Sequence, residues 1–174
     1  MKFIIALLAL ALTTPACAQA TLDAQHSALA NLAGAWSVQQ SLWLDGATTP
    51  KVDPGHADFA TILNGRQLQQ SLHINDGTNF QGLGYIGFDN ASGHYFSTWM
   101  DVNFPGIVVA YGDFDPAAKT YVFKGSMSSS TPGVTVPVRE VMTVTDPDHF
   151  RYDYYETHDG KEALTVRLDY TRGN

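Results

Sequence analysis

The chain has 174 residues and carries 17 acidic against 10 basic side chains, a formal net charge of −7. That length suits a single domain. The basic residues are sparse and unclustered, which excludes nucleic-acid binding by phosphate neutralisation and makes an anionic membrane surface an unfavourable partner; the acid excess serves solubility.

The chain opens MKFIIALLALALTTPACAQA. Lys2, the apolar run Phe3 to Leu12 and the small-residue step Ala16-Cys17-Ala18 follow the order of a secretory signal peptide cut after Ala18. Residues 19–174 would then form one exported domain, periplasmic or secreted. The apolar run is short of the roughly 20 residues that cross a bilayer, and no later run is longer, so no transmembrane helix is expected. Cys17 is the only cysteine. It could carry a lipid, although Thr14-Pro15-Ala16 lacks the usual aliphatic residue three positions upstream. Cleavage after Ala18 leaves no disulfide, so stability must come from a core.

The next stretch, TLDAQHSALANLAG, predicts a short helix capped by Thr21 or Asp23, with Leu22, Leu29 and Leu32 as a partial apolar stripe ending at Gly34. No convincing helical period follows. Short strand-like runs alternate instead with DGATTP, NG, NDGTN, DNASG, DPAAK, TDPD and THDG, the pattern of an all-β sandwich or barrel. About ten strands result, with 126–133 read as a loop.

Two hairpins can be read in register. Asn64-Gly65 as a two-residue turn pairs Leu63 with Arg66, Thr61 with Leu68, Phe59 with Gln70 and Ala57 with Leu72. That face is largely apolar and should point inward; His56, Asp58, Gln67, Gln69, Ser71 and His73 should point outward. In the second, GLGYIG at 82–87 matches the spacing of a dinucleotide-binding loop. Such a loop must open a helix whose N-terminus holds the pyrophosphate. Here FDNASG and then HYFSTWMD follow, a turn and a strand, so no NAD and no other cofactor is expected. The glycines instead belong to a strand, where each costs roughly 0.5–1 kcal/mol and calls for a close approach. A four-residue loop, Asn90 to Gly93, would set Asp89 opposite His94, Gly84 opposite Trp99 and Gly82 opposite Asp101, leaving room for an indole over bare backbone.

In a closed barrel the first and last strands are neighbours. Arg172 could then lie over the indole of Trp36. The alternative is an ordinary core tryptophan and a frayed terminal arginine.

F-x-G-x-G-x-x-G-F-D-N over 80–90, W-x-D at Trp99 and Asp101, Y-G-D-F-D over 111–115, K-T-Y-V-F-K-G over 119–125, R-E-V over 139–141 and a closing D-Y-T-R together resemble the bacterial family filed as domain of unknown function 1579. The resemblance runs from Leu32-Ala33-Gly34 to Arg172; members usually carry Tyr where Phe88 stands. It implies one domain, a lipocalin-like barrel and no known reaction. The Trp36–Arg172 pair is similar to the wider calycin pattern, a likeness of fold alone.

Eight strands can fill a barrel with side chains, whereas about ten favour a lumen. On HFRYDYYE, Phe150, Tyr152 and Tyr154 share a face, matched on the next strand by Leu164, Val166, Leu168 and Tyr170. Inward tyrosines would give an apolar wall with hydroxyl handles; the plainer reading is that they fill the core. Asp101 shares the face of Trp99 and needs a partner, either Arg139 or the backbone N–H groups of 102–106. His56, His73 and Asp58 could bind zinc, but on an outer face without supporting groups, so no metal is expected. No nucleophile motif is present.

The sequence therefore predicts an all-β antiparallel barrel with a short N-terminal helix. Its leading function is binding a small apolar or amphipathic ligand, lined by Trp99, Asp101, Arg139, Tyr152 and Tyr154. The alternatives are a filled barrel acting as an interaction or structural protein, and a hydrolase or isomerase built on carboxylates and tyrosines.

Overall fold

The computed structural model describes residues 22–44, 47–75 and 80–173. The expected leader, with Cys17, and Thr21 lie outside the described residues. One helix, α1 (Ala24–Ala30), precedes ten strands: β1 (Gly34–Leu42), β2 (Lys51–Ile62), β3 (Gln67–Ile74), β4 (Phe80–Asp89), β5 (His94–Asp101), β6 (Phe104–Asp115), β7 (Thr120–Ser128), β8 (Thr135–Asp146), β9 (His149–His158) and β10 (Lys161–Arg172). Each strand pairs with the next and β1 closes on β10, giving an antiparallel up-and-down barrel without a free edge. Among the described residues no helix is long and apolar enough to cross a membrane.

Asp23 caps α1 by accepting from the His26 backbone N–H at 3.0 Å. Leu29 and Leu32 are buried as the stripe requires, while Leu22 stays exposed. Complete burial of a leucine such as Leu29 contributes about 1.5–3 kcal/mol. The His26 side chain, uninformative in sequence, is buried; its Nδ1 lies 2.6 Å from the Asp23 carboxylate and its ring meets the edge of Phe88.

Alternation sets the core. Trp36, Val38, Ala57, Phe59, Leu68, Leu72, Ile86, Tyr95, Phe123, Met142, Phe150, Leu168 and Tyr170 point inward and are buried. The first hairpin has the expected register, with Thr61 opposite Leu68, Phe59 opposite Gln70 and Ala57 opposite Leu72. Ladder pairing stops at Ile62 opposite Gln67, and two overlapping turns close it: Gly65 N–H donates to Ile62 O at 3.0 Å around Leu63-Asn64 (φ 51° and 58°), and Arg66 N–H to Leu63 O at 3.4 Å around the expected Asn64-Gly65. Leu63 and Arg66 therefore belong to the loop. The inward Gln70 donates to the Tyr170 hydroxyl at 2.7 Å, which satisfies a buried amide across the barrel. β7 continues to Ser128, so the loop expected at 126–133 is shorter.

The meander fixes which end is which. The β2–β3, β4–β5, β6–β7 and β8–β9 turns lie at one end, where α1 packs on β3 and β4. Trp36, Phe59, Phe150 and Tyr170 plug that end; Phe150 stacks on Tyr170 at 4.1 Å and meets Trp36 edge-on at 4.7 Å. Arg172 seals it, with its guanidinium 4.2 Å from the Trp36 ring and its donors on Asn31 O, Ala33 O and Pro147 O. The opposite end, where β1 meets β2, β5 meets β6 and β7 meets β8, carries the parallel rings of Phe80 and Trp99. Around it stand Leu44, Val52, Val102, Ile107 and Val134, all exposed.

Candidate ligand site in the barrel lumen

The glycine strand shapes the wall. Gly84 pairs with Trp99 and Gly82 with Asp101, because Gly93 (φ 75°) closes the four-residue loop that sets Asp89 against His94. A Cβ at Gly82 would overlap the six-membered ring of Trp99, and one at Gly84 would come within 2.9 Å of the indole. The ring thus lies flat along bare backbone, parallel to Phe80 (11° between planes, centroids 6.4 Å apart). Its Nε1–H donates to Asp101 Oδ2 at 2.9 Å. The other oxygen, Oδ1, accepts from the backbone N–H groups of Asn103 and Phe104 at 2.8 and 2.9 Å. Asp101 is therefore held by the turn and steadies the indole in turn.

Four of the five expected site residues, Trp99, Asp101, Tyr152 and Tyr154, share the inner face. Arg139 does not. On β8, Val138, Glu140 and Met142 are the buried, inward set, so Arg139 points outward. There it forms a two-pronged bond to Glu162 at 2.9 and 2.7 Å and lies 3.9 Å over the Tyr155 ring. Leu164, expected beside Val166, pairs instead with outward Tyr155, because a bulge between Leu164 and Val166 shifts the register.

The residue that sequence reasoning missed is Glu140. It is fully buried, and neither carboxylate oxygen has a well-formed hydrogen bond, although the Tyr152 and Ser97 hydroxyls face it. Burial is the main cause holding its carboxyl above the usual range. The signal was present: TVPVREVMTV alternates Val136, Val138, Glu140, Met142 and Val144, a charge on an apolar face. Burial likewise pushes the Tyr152 and Tyr154 phenols up, and for Tyr154 the charges of Glu140, Glu156 and Asp101 add to it. Both phenols stay neutral and serve as donors. Trp99, Tyr152, Tyr154 and Val166 are inward, yet each is only partly covered, whereas Glu140 itself has no exposed surface. Tyr154 donates to Met127 Sδ at 3.5 Å, a weak bond for a half-buried phenol.

On the outside, His56 and His73 pair across β2 and β3 and stack at 4.8 Å. His73 borders a shallow groove of about 350 Å³ with Ser71, Leu83, Met100 and Val102. Among the described residues no three His, Cys, Asp or Glu side chains converge as a metal site.

These features define a ten-stranded up-and-down barrel, plugged at one end and holding an aromatic, acid-lined interior. The chain belongs to the family described as "Protein of unknown function (DUF1579)", whose profile matches residues 21–172. No curated protein matches it. Among solved structures it is similar to a redesigned β-barrel at 16% identity, with 84% of this chain and 96% of that one covered and a TM-score of 0.43.

Proposed function

We propose that this protein binds a small amphipathic molecule inside the barrel, entering at the end opposite α1, and does so outside the cytoplasm after removal of the leader ending at Ala18. The observation that carries this reading is the partial exposure of inward-facing Trp99, Tyr152, Tyr154 and Val166 together with the buried Glu140, whose oxygens have no well-formed hydrogen bond. A barrel serving only as a scaffold gains nothing from half-covered aromatic walls and a buried carboxyl short of hydrogen bonds, each of which costs stability. The exposed apolar residues Leu44, Val52, Val102, Ile107 and Val134 gather at the same end, where an apolar molecule would arrive. Trp99 and Val166 supply an apolar surface; Tyr152, Tyr154 and Asp101 supply hydroxyl and carboxylate handles.

The test is calorimetric titration of the purified protein with n-octanol, repeated on Val166→Trp, which fills the lumen. Saturable one-to-one binding by the wild type that Val166→Trp abolishes supports the reading. No heat from the folded wild type, or equal binding by both proteins, overturns it. Native mass spectrometry of protein taken from its own host would then show the physiological occupant.

A further inference from the structure

We propose that the ligand is a protonated amine on an apolar skeleton, its N–H groups donating to the Glu140 carboxylate and its body lying against Trp99 and Val166. This rests on the lumen being a ligand site and names the chemical class that it selects.

Glu140 carries two acceptor oxygens, fully buried, without a well-formed partner. What would complete them is a group rich in donors. No basic side chain of the described residues plays that part. Arg139, its chain neighbour, is outside on Glu162. Arg172 is spent on backbone carbonyls at the plugged end. Lys51, at the rim, pairs with Asp53 at 2.8 Å.

The remaining lining points the same way. The charges of Glu140, Glu156 and Asp101 all act on the Tyr154 hydroxyl; Glu156 pairs with His158 at 2.7 Å and Asp101 with Trp99 and the turn N–H groups, which leaves the Glu140 oxygens for a ligand. A carboxylate or phosphate ligand would meet repulsion there, whereas a cation would be drawn in. The parallel rings of Phe80 and Trp99 present π faces that also favour a cation. A primary ammonium has three N–H donors, enough for both Glu140 oxygens and the Ser97 hydroxyl. A quaternary ammonium carries the charge but has no N–H to give, so it should bind less well.

The experiment compares n-octylamine, octyltrimethylammonium, n-octanol and octanoate by calorimetry at neutral pH. The amine should bind the wild type at least about tenfold more tightly than octanol, with the trimethylammonium compound between them and octanoate weakest. Glu140→Gln should lower amine affinity to that of octanol while leaving octanol unchanged. Asp113→Asn removes one exposed carboxylate and should change nothing, which separates the lumen from the general acidity of the surface. Octanoate binding as tightly as the amine to the wild type overturns the proposal without any variant. So does an amine preference that survives in folded Glu140→Gln. Failure of every octyl compound to bind would instead remove the ligand-site reading beneath it.

Discussion

The indole of Trp99 lies across Gly84, its partner on the neighbouring strand, and reaches over Gly82 two residues further along. Sheet and ring are thus built as one unit. Gly82→Ala places a methyl where the ring sits and should cost about 1–3 kcal/mol as overpacking. In a Trp99→Ala background the same change should cost much less, because the obstacle is gone. A double-mutant cycle by urea unfolding should return a coupling of at least about 1 kcal/mol. Additive losses would mean that the indole does not occupy the space the glycines leave.

Arg172 joins three parts of the plugged end through one guanidinium: the Trp36 ring, the carbonyls after α1 and Pro147 O in the β8–β9 turn. A cation–π contact at a partly exposed site is worth about 0.5–2 kcal/mol, and each hydrogen bond about 1. Arg172→Ala should therefore lower unfolding free energy by about 2–3 kcal/mol. Arg172→Lys should recover only a small part, since an ammonium cannot reach all the carbonyls while stacking on the indole. Equal stability of the Lys variant and the wild type, read from denaturant midpoints, would contradict this account.

Both of these relationships were legible in the chain. Turn chemistry at Gly93 and strict period-2 alternation fixed the Trp99–Gly84 register, and closure of a meander required the first and last strands to meet. The lumen acid was not read, for a reason of parity. Arg139 offered itself as a partner for Asp101 because opposite charges attract, yet it sits one residue from Glu140 and so on the other face of β8. The apolar alternation around Glu140 outranked that charge argument. Bulges were the second blind spot: nothing local in Leu164-Thr165-Val166 announces the extra residue that turns Leu164 toward Tyr155. The Leu63-Asn64 turn was a third, since a leucine with positive φ is unfavourable and persists only because the flanking register demands it.

Asp23 ties helix stability to pH. The backbone N–H of His26, chiefly, with the His26 and Asn90 side chains, holds its carboxyl at about 2, below its ordinary 3.8. A depressed carboxyl stabilises the fold above its unfolded value, and that contribution fades as pH falls through about 2. Asp23→Asn keeps the capping oxygen but cannot titrate. The wild type should melt at a higher temperature than this variant near neutral pH, and the two curves should converge toward pH 2. A melting difference that stays constant across that range would show the charge to be irrelevant.

Glu140 works in the opposite sense, and it links stability to ligand. Its carboxyl lies above the ordinary 4.5 because it is buried. Between that ordinary value and the raised one, the folded state keeps a proton that the unfolded chain has lost. Rising pH therefore weakens the fold across this window, and the loss is complete once the folded carboxyl ionises. The carboxylates of Asp53, Asp89, Asp146 and Glu162, all held low by hydrogen bonds, give the reverse slope at more acid pH. The difference between Glu140→Gln and the wild type isolates the buried group. The advantage of Glu140→Gln should therefore grow as pH rises above the ordinary carboxyl value in urea unfolding. A bound amine changes the sign of the environment: beside an ammonium the carboxylate, not the acid, is the favoured form. Saturating n-octylamine should therefore flatten the wild-type slope while leaving Glu140→Gln unaffected, whereas n-octanol should stabilise both proteins without altering their slopes. A wild-type slope that persists under saturating amine would mean that the ammonium and Glu140 never meet.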